Sequence, residues 1–170
     1  QLKRDTGFDV NVISGLEEAR LISLAALSGR AADEENAIID IGGGSTEVIV
    51  AAGNVPRHVV SMGLGALRLY EHFERAEKMK SRELTLMRAY VDRAIRTDLG
   101  EPPPETEAKT VLGTSGSIRA LVRWAGENNR ADRAAVRSAI AKLARMSLSE
   151  RKKHFSERRA EVIVGAAVIL

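Results

Sequence analysis

The stretch Ala37 to Ala51, AIIDIGGGSTEVIVA, constrains this chain more than any other. Two apolar, β-branched arms flank a triple-glycine turn, with Asp40 before it and Glu47 after it. The alternation of Ile and Val predicts two buried strands joined by Gly42, Gly43, Gly44 and Ser45. A tight hairpin needs fewer glycines than this. The surplus predicts a close approach to the backbone, at positions that lack a Cβ and can reach φ > 0. Successive unpaired amides in such a turn favour anions, phosphate above all.

The rest of the chain reads as a frame around that hairpin. Phe8, Val10 and Val12 alternate with polar residues and predict a short strand running into Ile13. Ser14 and Glu17 read as a capping box for a helix from Leu16 to about Leu27, with Leu16, Ala19, Leu24 and Leu27 on its apolar face. Gly29 stops that helix, and Arg30 to Asn36 reads as a polar loop. After the hairpin, a turn at Gly53-Asn54 leads to a third strand, Arg57 to Met62, which completes an antiparallel meander. Gly63-Leu64-Gly65 links it to a helix from Ala66 to about Glu74. Ser81 caps a longer helix to about Leu99, ended by Gly100 and the stiff run Pro102-Pro103-Pro104. A fourth strand, Thr110 to Leu112, enters a second glycine turn, Gly113 to Ser117. Helices follow over Ile118–Ala125, from Asp132 to about Met146, and from Glu157 onward, with Ser147 or Ser149 capping a charged turn between the last two.

Composition narrows the function classes. Cysteine is absent, which removes disulfides, thiolate metal sites and a thiol nucleophile and fits a cytoplasmic protein. A net charge of +3 is too mild to argue for DNA binding, and three Phe, two Tyr and one Trp make no stacking platform for single strands. The longest apolar stretch, Val162 to Leu170, is too short to span a membrane. His58, His72 and His154 lie in different elements and show no metal-ligand spacing.

Several residues are candidates for chemistry. Glu17 and Glu18 lie in the first turn of a helix, where carboxylates offset the macrodipole. Glu17 is committed to the cap in this reading, so Glu18, about 100° round the helix, is free either for that role alone or to act as a base on water. An aspartate in an apolar strand is costly unless paired or liganded, so Asp40 reads either as a strand-end hydrogen-bond partner or as a magnesium ligand, and Glu47 faces the same choice. The first glycine turn is not a Walker loop, because no Gly-Lys-Ser/Thr follows it. Nor is it a dinucleotide fingerprint, because a strand and not a helix comes next. The second turn lies between a strand and a helix, where free N–H groups suit phosphate, which makes Gly113, Ser115 and Gly116 candidates. Arg20, Arg68 and Arg119 fall near helix starts beside these sites and read as solvated charge or as polyanion contacts. Arg151-Lys152-Lys153 with Arg158-Arg159 reads as a solvated basic face or as electrostatic attraction for an anionic substrate.

With Ile13-Ser14-Gly15, Glu17-Glu18-Ala19-Arg20-Leu21, Asp40-Ile41-Gly42-Gly43-Gly44-Ser45-Thr46-Glu47 and Gly113-Thr114-Ser115-Gly116-Ser117 in this order, the chain resembles the exopolyphosphatase and guanosine pentaphosphate phosphatase family. The resemblance implies an α/β fold of the actin-like ATPase (ribonuclease H-like) type, a βββ-α-β-α mixed sheet flanked by helices. It implies a hydrolase that uses Mg2+ or another divalent cation to release terminal phosphate from inorganic polyphosphate or guanosine pentaphosphate. By motif position Glu18 matches the catalytic glutamate. Asp40 and Glu47 match the metal and water-positioning carboxylates, and Gly42 to Ser45 the second phosphate loop.

The family's first phosphate loop, Asp-x-Gly-Ser-Asn-Ser, has no counterpart here. Residues 1–30 therefore read as the last strand and helix of a first domain and 31–170 as most of a second, a fragment expected to be inactive alone and, in longer form, to allow a homodimer. A kinase of the same superfold and a non-hydrolytic polyphosphate or nucleotide sensor are the competing readings.

Overall fold

The computed structural model describes residues 2–29, 34–53, 55–73, 79–100, 108 and 110–170. The elements in chain order are α1 (Leu2–Thr6), α2 (Gly15–Ala26), β1 (Glu35–Ile41), β2 (Thr46–Ala52), β3 (Val55–Met62), α3 (Ala66–Phe73) and α4 (Ser81–Leu99). They continue with β4 (Thr110–Gly113), α5 (Gly116–Ala125), α6 (Arg133–Arg145), α7 (Leu148–Arg151) and α8 (Glu157–Ile169). The four strands form one sheet in the order β3-β2-β1-β4. The meander β1-β2-β3 is antiparallel, while β4 returns through α3 and α4 to pair parallel with β1.

Strand alternation divides the apolar side chains between two faces. Ile38, Ile49 and Ala51 pack against Ala19 and Leu27 from the α2 side. Ile39, Ile41, Val48 and Val60 join the larger core built with α3, α4, α5, α6 and α8. In that core α8 runs between α3 and α5, and Ala160, Ile163, Val164, Gly165, Ala166 and Ala167 are all buried. Gly165 allows the close crossing, since a Cβ there would lie 3.1 Å from both Ala66 O and Leu69 Cβ.

Several local expectations are corrected. Phe8, Val10 and Val12 form no strand and are exposed, because none of the four sheet strands pairs with them. On α2 the buried positions are Ala19 and Ser23, with Leu27 just beyond, whereas Leu16 and Leu24 face solvent. Small residues line that face because the helix lies close against the sheet. Only half of the capping box forms: Ser14 Oγ accepts the Glu17 N–H, but the Glu17 carboxylate turns to Arg20. The cap of α4 is Lys80, whose N–H donates to Glu83, and not Ser81. β1 takes in Glu35 and Asn36 from the expected loop, and β3 starts at Val55. Arg151 is buried, because the Ser147-capped turn of α7 directs that position inward, while Lys152, Lys153 and Arg158 stay exposed. Asn54, residues 30–33 and the proline run 102–104 lie outside the described residues.

Candidate active site

The hairpin register sets Asp40 directly opposite Glu47, and Glu47 directly opposite Ser61 on β3. All three share the sheet face that α2 covers. At the other end of this row, Thr114 follows β4 and donates its hydroxyl to Asp40 Oδ2 at 2.5 Å. One polar row, Thr114–Asp40–Glu47–Ser61, thus runs across β3, β2 and β1 to the residue just past β4, at the edge where the parallel strands β1 and β4 both finish. Parallel pairing brings the two glycine turns together there, at the carboxyl ends of strands, where α/β sheets bind their ligands.

Glu47 is almost fully buried, at 1% exposure. Ser61 Oγ donates to its Oε1 at 2.9 Å, and the Ser45 side chain also hydrogen-bonds to it. Burial pushes the Glu47 carboxyl above the usual carboxylate range; the two serine hydrogen bonds oppose this, and the negative charges of Glu18 and Asp40 add to it. Glu18, one residue past Glu17, is exposed to solvent and electrostatically linked to Glu47. Glu17 is engaged elsewhere: Arg20 donates to both of its oxygens, at 2.8 and 2.7 Å, which holds Glu17 below its ordinary pKa. That pair accounts for Arg20, which takes no part in the carboxylate row.

The first glycine turn owes its shape to α3. Ala66 N–H donates to Gly42 O, and the N–H groups of Leu67 and Arg68 both donate to Gly43 O. These bonds occupy the free donors at the helix start. In a planar trans peptide the N–H points opposite the C=O. Carbonyls of Gly42 and Gly43 aimed at α3 therefore turn the N–H groups of Gly43 and Gly44 away from it, toward solvent. Gly43 and Gly44 are exposed, and among the described residues no partner is found for the N–H of Gly43, Gly44 or Ser45. Arg68 Nε stands 3.8 Å from where a Cβ of Gly44 would be, which sets a guanidinium beside the turn.

None of Gly42, Gly43 and Gly44 adopts positive φ, so the expected left-handed backbone is not used. The close approach is real but belongs to Gly65. A Cβ at Gly65 would collide with Gly43 O and sit 2.5 Å from Gly43 C and 2.6 Å from Gly44 C. Sequence reasoning passed over Gly65 as a linker; its signal was a Gly-x-Gly just before an apolar helix. Thr46 was missed as well. It is fully buried and donates to Leu64 O at 2.6 Å, tying the linker to β2.

The second turn is built differently. A Cβ at Gly113 would collide with Ile118 Cγ2, so that glycine makes room for α5 to fold onto its strand. Ser115 Oγ accepts the Ile118 N–H at 3.1 Å and caps α5. At Gly116 a Cβ would meet Arg159 Nη2 at 3.0 Å, so a second guanidinium reaches this turn from the start of α8. The basic run places Arg159 on a solvated face or in a general anion-attracting patch, but no local pattern connects it to Gly116. Arg119 is exposed.

Among the described residues no three His, Cys, Asp or Glu side chains are grouped to hold a metal ion by themselves. The carboxylates still suit a magnesium ion, which takes one or two of them and completes its shell with water and substrate oxygens. Two like charges directly opposite on adjacent strands are unfavourable without a counter-charge, and Asp40 and Glu47 stand in that relation.

The arrangement has clear relatives. The model of the Ppx/GppA phosphatase family matches residues 1–170. Exopolyphosphatase 1 of Mycobacterium leprae is 27% identical over 186 residues, covering 99% of this chain and 53% of that protein. A guanosine-5'-triphosphate,3'-diphosphate pyrophosphatase of Vibrio atlanticus is 31% identical over 122 residues, covering 68% of this chain and 23% of that protein. Among solved structures, an exopolyphosphatase from Cytophaga hutchinsonii superposes with a TM-score of 0.82 at 23% identity, covering 99% of this chain and 58% of that one. The Aquifex aeolicus member of the Ppx/GppA family superposes with a TM-score of 0.79 at 23% identity, covering 99% and 57%. The likeness establishes the actin-like ATPase fold. The chain spans about half the length of the first of these relatives and of both solved structures, and about a quarter of the Vibrio protein.

Proposed function

The chain belongs to the Ppx/GppA phosphatase family, and from that premise we propose that its edge of carboxylates and outward amides serves the hydrolysis of phosphoanhydrides. The substrate class is a phosphate chain: inorganic polyphosphate, guanosine pentaphosphate, or both. The observation that carries this reading is the convergence of Glu18, Asp40 and Glu47 beside a turn in which the N–H groups of Gly43, Gly44 and Ser45 have no partner among the described residues.

In this reading the N–H groups of Gly43, Gly44 and Ser45 hold the oxygens of the terminal phosphate, and Arg68 and Arg159 offset charge along the chain. Glu18 is the most exposed of the three, and it takes the proton of the attacking water. The water oxygen bonds to the terminal phosphorus and the bridging P–O bond breaks. Orthophosphate leaves, and the shortened chain keeps the electrons of the broken bond. Ser45 and Ser61 hold Glu47 in place, and Thr114 holds Asp40. A divalent cation, when bound, would be held by Asp40 and Glu47 and would neutralise charge on the phosphate oxygens.

The test is phosphate release from polyphosphate and from guanosine pentaphosphate, with magnesium present, by the protein that carries this chain. Glu18→Gln is expected to lower kcat by about 10²–10⁴-fold with substrate binding retained. Full turnover in that variant sinks the assignment of the base. Transfer of phosphate to an acceptor in place of release would instead support a kinase.

A further inference from the structure

Helix α2 meets the sheet at one point of unusually close contact. Gly15, its first residue, lies over Ser61 of β3. A Cβ on Gly15 would stand 2.9 Å from Ser61 Cβ and closer still to Ser61 Oγ, nearer than real Cβ atoms come. Ser61 Oγ has no freedom to swing aside without cost, because its proton is donated to Glu47 Oε1. Residues three apart neighbour each other on a helix surface, so Glu18 follows Gly15 along the rim of the face turned to the sheet, where it stays open to solvent. Ser61 and Glu47 are direct partners on adjacent strands. The helix thus lies across the two strands with Gly15 on Ser61 and, one turn on, Glu18 beside Glu47.

We propose that the Gly15–Ser61 contact is a positioning device that sets the reach of Glu18 relative to Glu47. Ser61 acts twice, fixing the Glu47 carboxylate through its hydroxyl and seating the start of α2 through its bare contact with Gly15. Neither residue touches the reacting atoms; both act through the carboxylates. This rests on the reading of Glu18 as the base. A displacement of about 1 Å at a reacting group is enough to cost about 10²-fold in rate, so a methyl group wedged at Gly15 is expected to act on kcat.

The test is a double-mutant cycle in the protein that carries this chain, with kcat, KM and the thermal midpoint read for each member. Ser61→Ala is expected to lower kcat by about 10-fold, with KM held within about twofold. Gly15→Ala is expected to lower kcat to a similar or greater degree. The double variant should lose no more than the worse single variant, because removing Oγ relieves the nearest clash. Losses that multiply, losses confined to KM, or a wild-type kcat in Ser61→Ala each overturn the proposal. If Gly15→Ala does not fold, Ser61→Ala decides alone: a lowered kcat at an unchanged KM and thermal midpoint supports positioning, and a wild-type kcat refutes it. Glu18→Gln, run alongside, separates the two readings. Full activity there removes the base, while non-additive thermal midpoints of Gly15→Ala and Ser61→Ala would still report the seat.

Discussion

The two glycine turns lie side by side at the end of the sheet, yet they use glycine for different reasons. In the first, Gly43 and Gly44 are exposed and their amides face outward because α3 holds the neighbouring carbonyls. Packing does not require glycine at these two positions, since added Cβ atoms would make only ordinary contacts with Leu67 and Arg68. In the second, Gly113 clears space for Ile118, and Ser115 Oγ accepts the Ile118 N–H as a helix cap. A glycine-rich turn beside a phosphate-like motif is therefore two hypotheses, one about access for a ligand and one about packing. Only the atoms around the missing Cβ separate them.

That comparison is open to breakage in four places. The largest effect is expected at Gly65. Gly65→Ala drives a methyl into the backbone of Gly43 and Gly44, so it should cost about 3 kcal/mol or more and weaken tripolyphosphate binding together with stability. Thermal melts and calorimetry check this; a stable variant with wild-type affinity would mean that the turn is not held as described. Gly113→Ala should cost about 1–3 kcal/mol through Ile118, with tripolyphosphate affinity preserved in the folded fraction. A selective loss of affinity there would assign Gly113 to ligand binding in addition to packing.

Ser115→Ala removes the cap of α5 and is expected to cost about 1 kcal/mol in denaturant unfolding. An undiminished stability would say that the hydroxyl is held for a ligand and not for the helix.

The smallest effect concerns the neighbour of the first turn. The folded-state pKa of Glu47 is raised, so its favourable contribution is fully present below the unfolded pKa and is lost as pH rises through the folded value. Glu47→Gln should therefore gain in thermal midpoint over the parent at neutral pH, and the gain should shrink as the solution is acidified toward the ordinary carboxylate range. A gain that is independent of pH would show that the carboxylate is not strained by burial.

Much of this architecture was legible in the chain. The alternation around Gly42–Gly44 marked β1 and β2, Asp132 marked a helix start that the structure keeps, and of Ser147 and Ser149 it is Ser147 that caps α7, while α5 starts at Gly116, two residues before the expected Ile118. These are local effects, set by period and by a side chain three residues from the amide it caps. The errors came where local pattern lacked a partner. Phe8, Val10 and Val12 alternate like a strand, but a strand exists only against another strand. Leu16 and Leu24 look like a buried stripe, but α2 turns its small residues to the sheet instead. Arg151 sits in a basic run and is buried, because a capped turn and not the charge decides its direction.

The sequence by itself determined the list of chemical groups: a glycine turn bracketed by Asp40 and Glu47, a spare Glu18, and a family membership that their order carries. Tertiary structure decided which of them meet. The parallel return of β4 brings Thr114 to Asp40, the hairpin register sets Glu47 between Asp40 and Ser61, and the bare Gly15 lets α2 carry Glu18 to that row. Strand register and helix seating depend on contacts between residues far apart in the chain. Their signature is a missing Cβ or a buried hydroxyl, such as Gly65 or Thr46, that looks ordinary until its neighbour is in place.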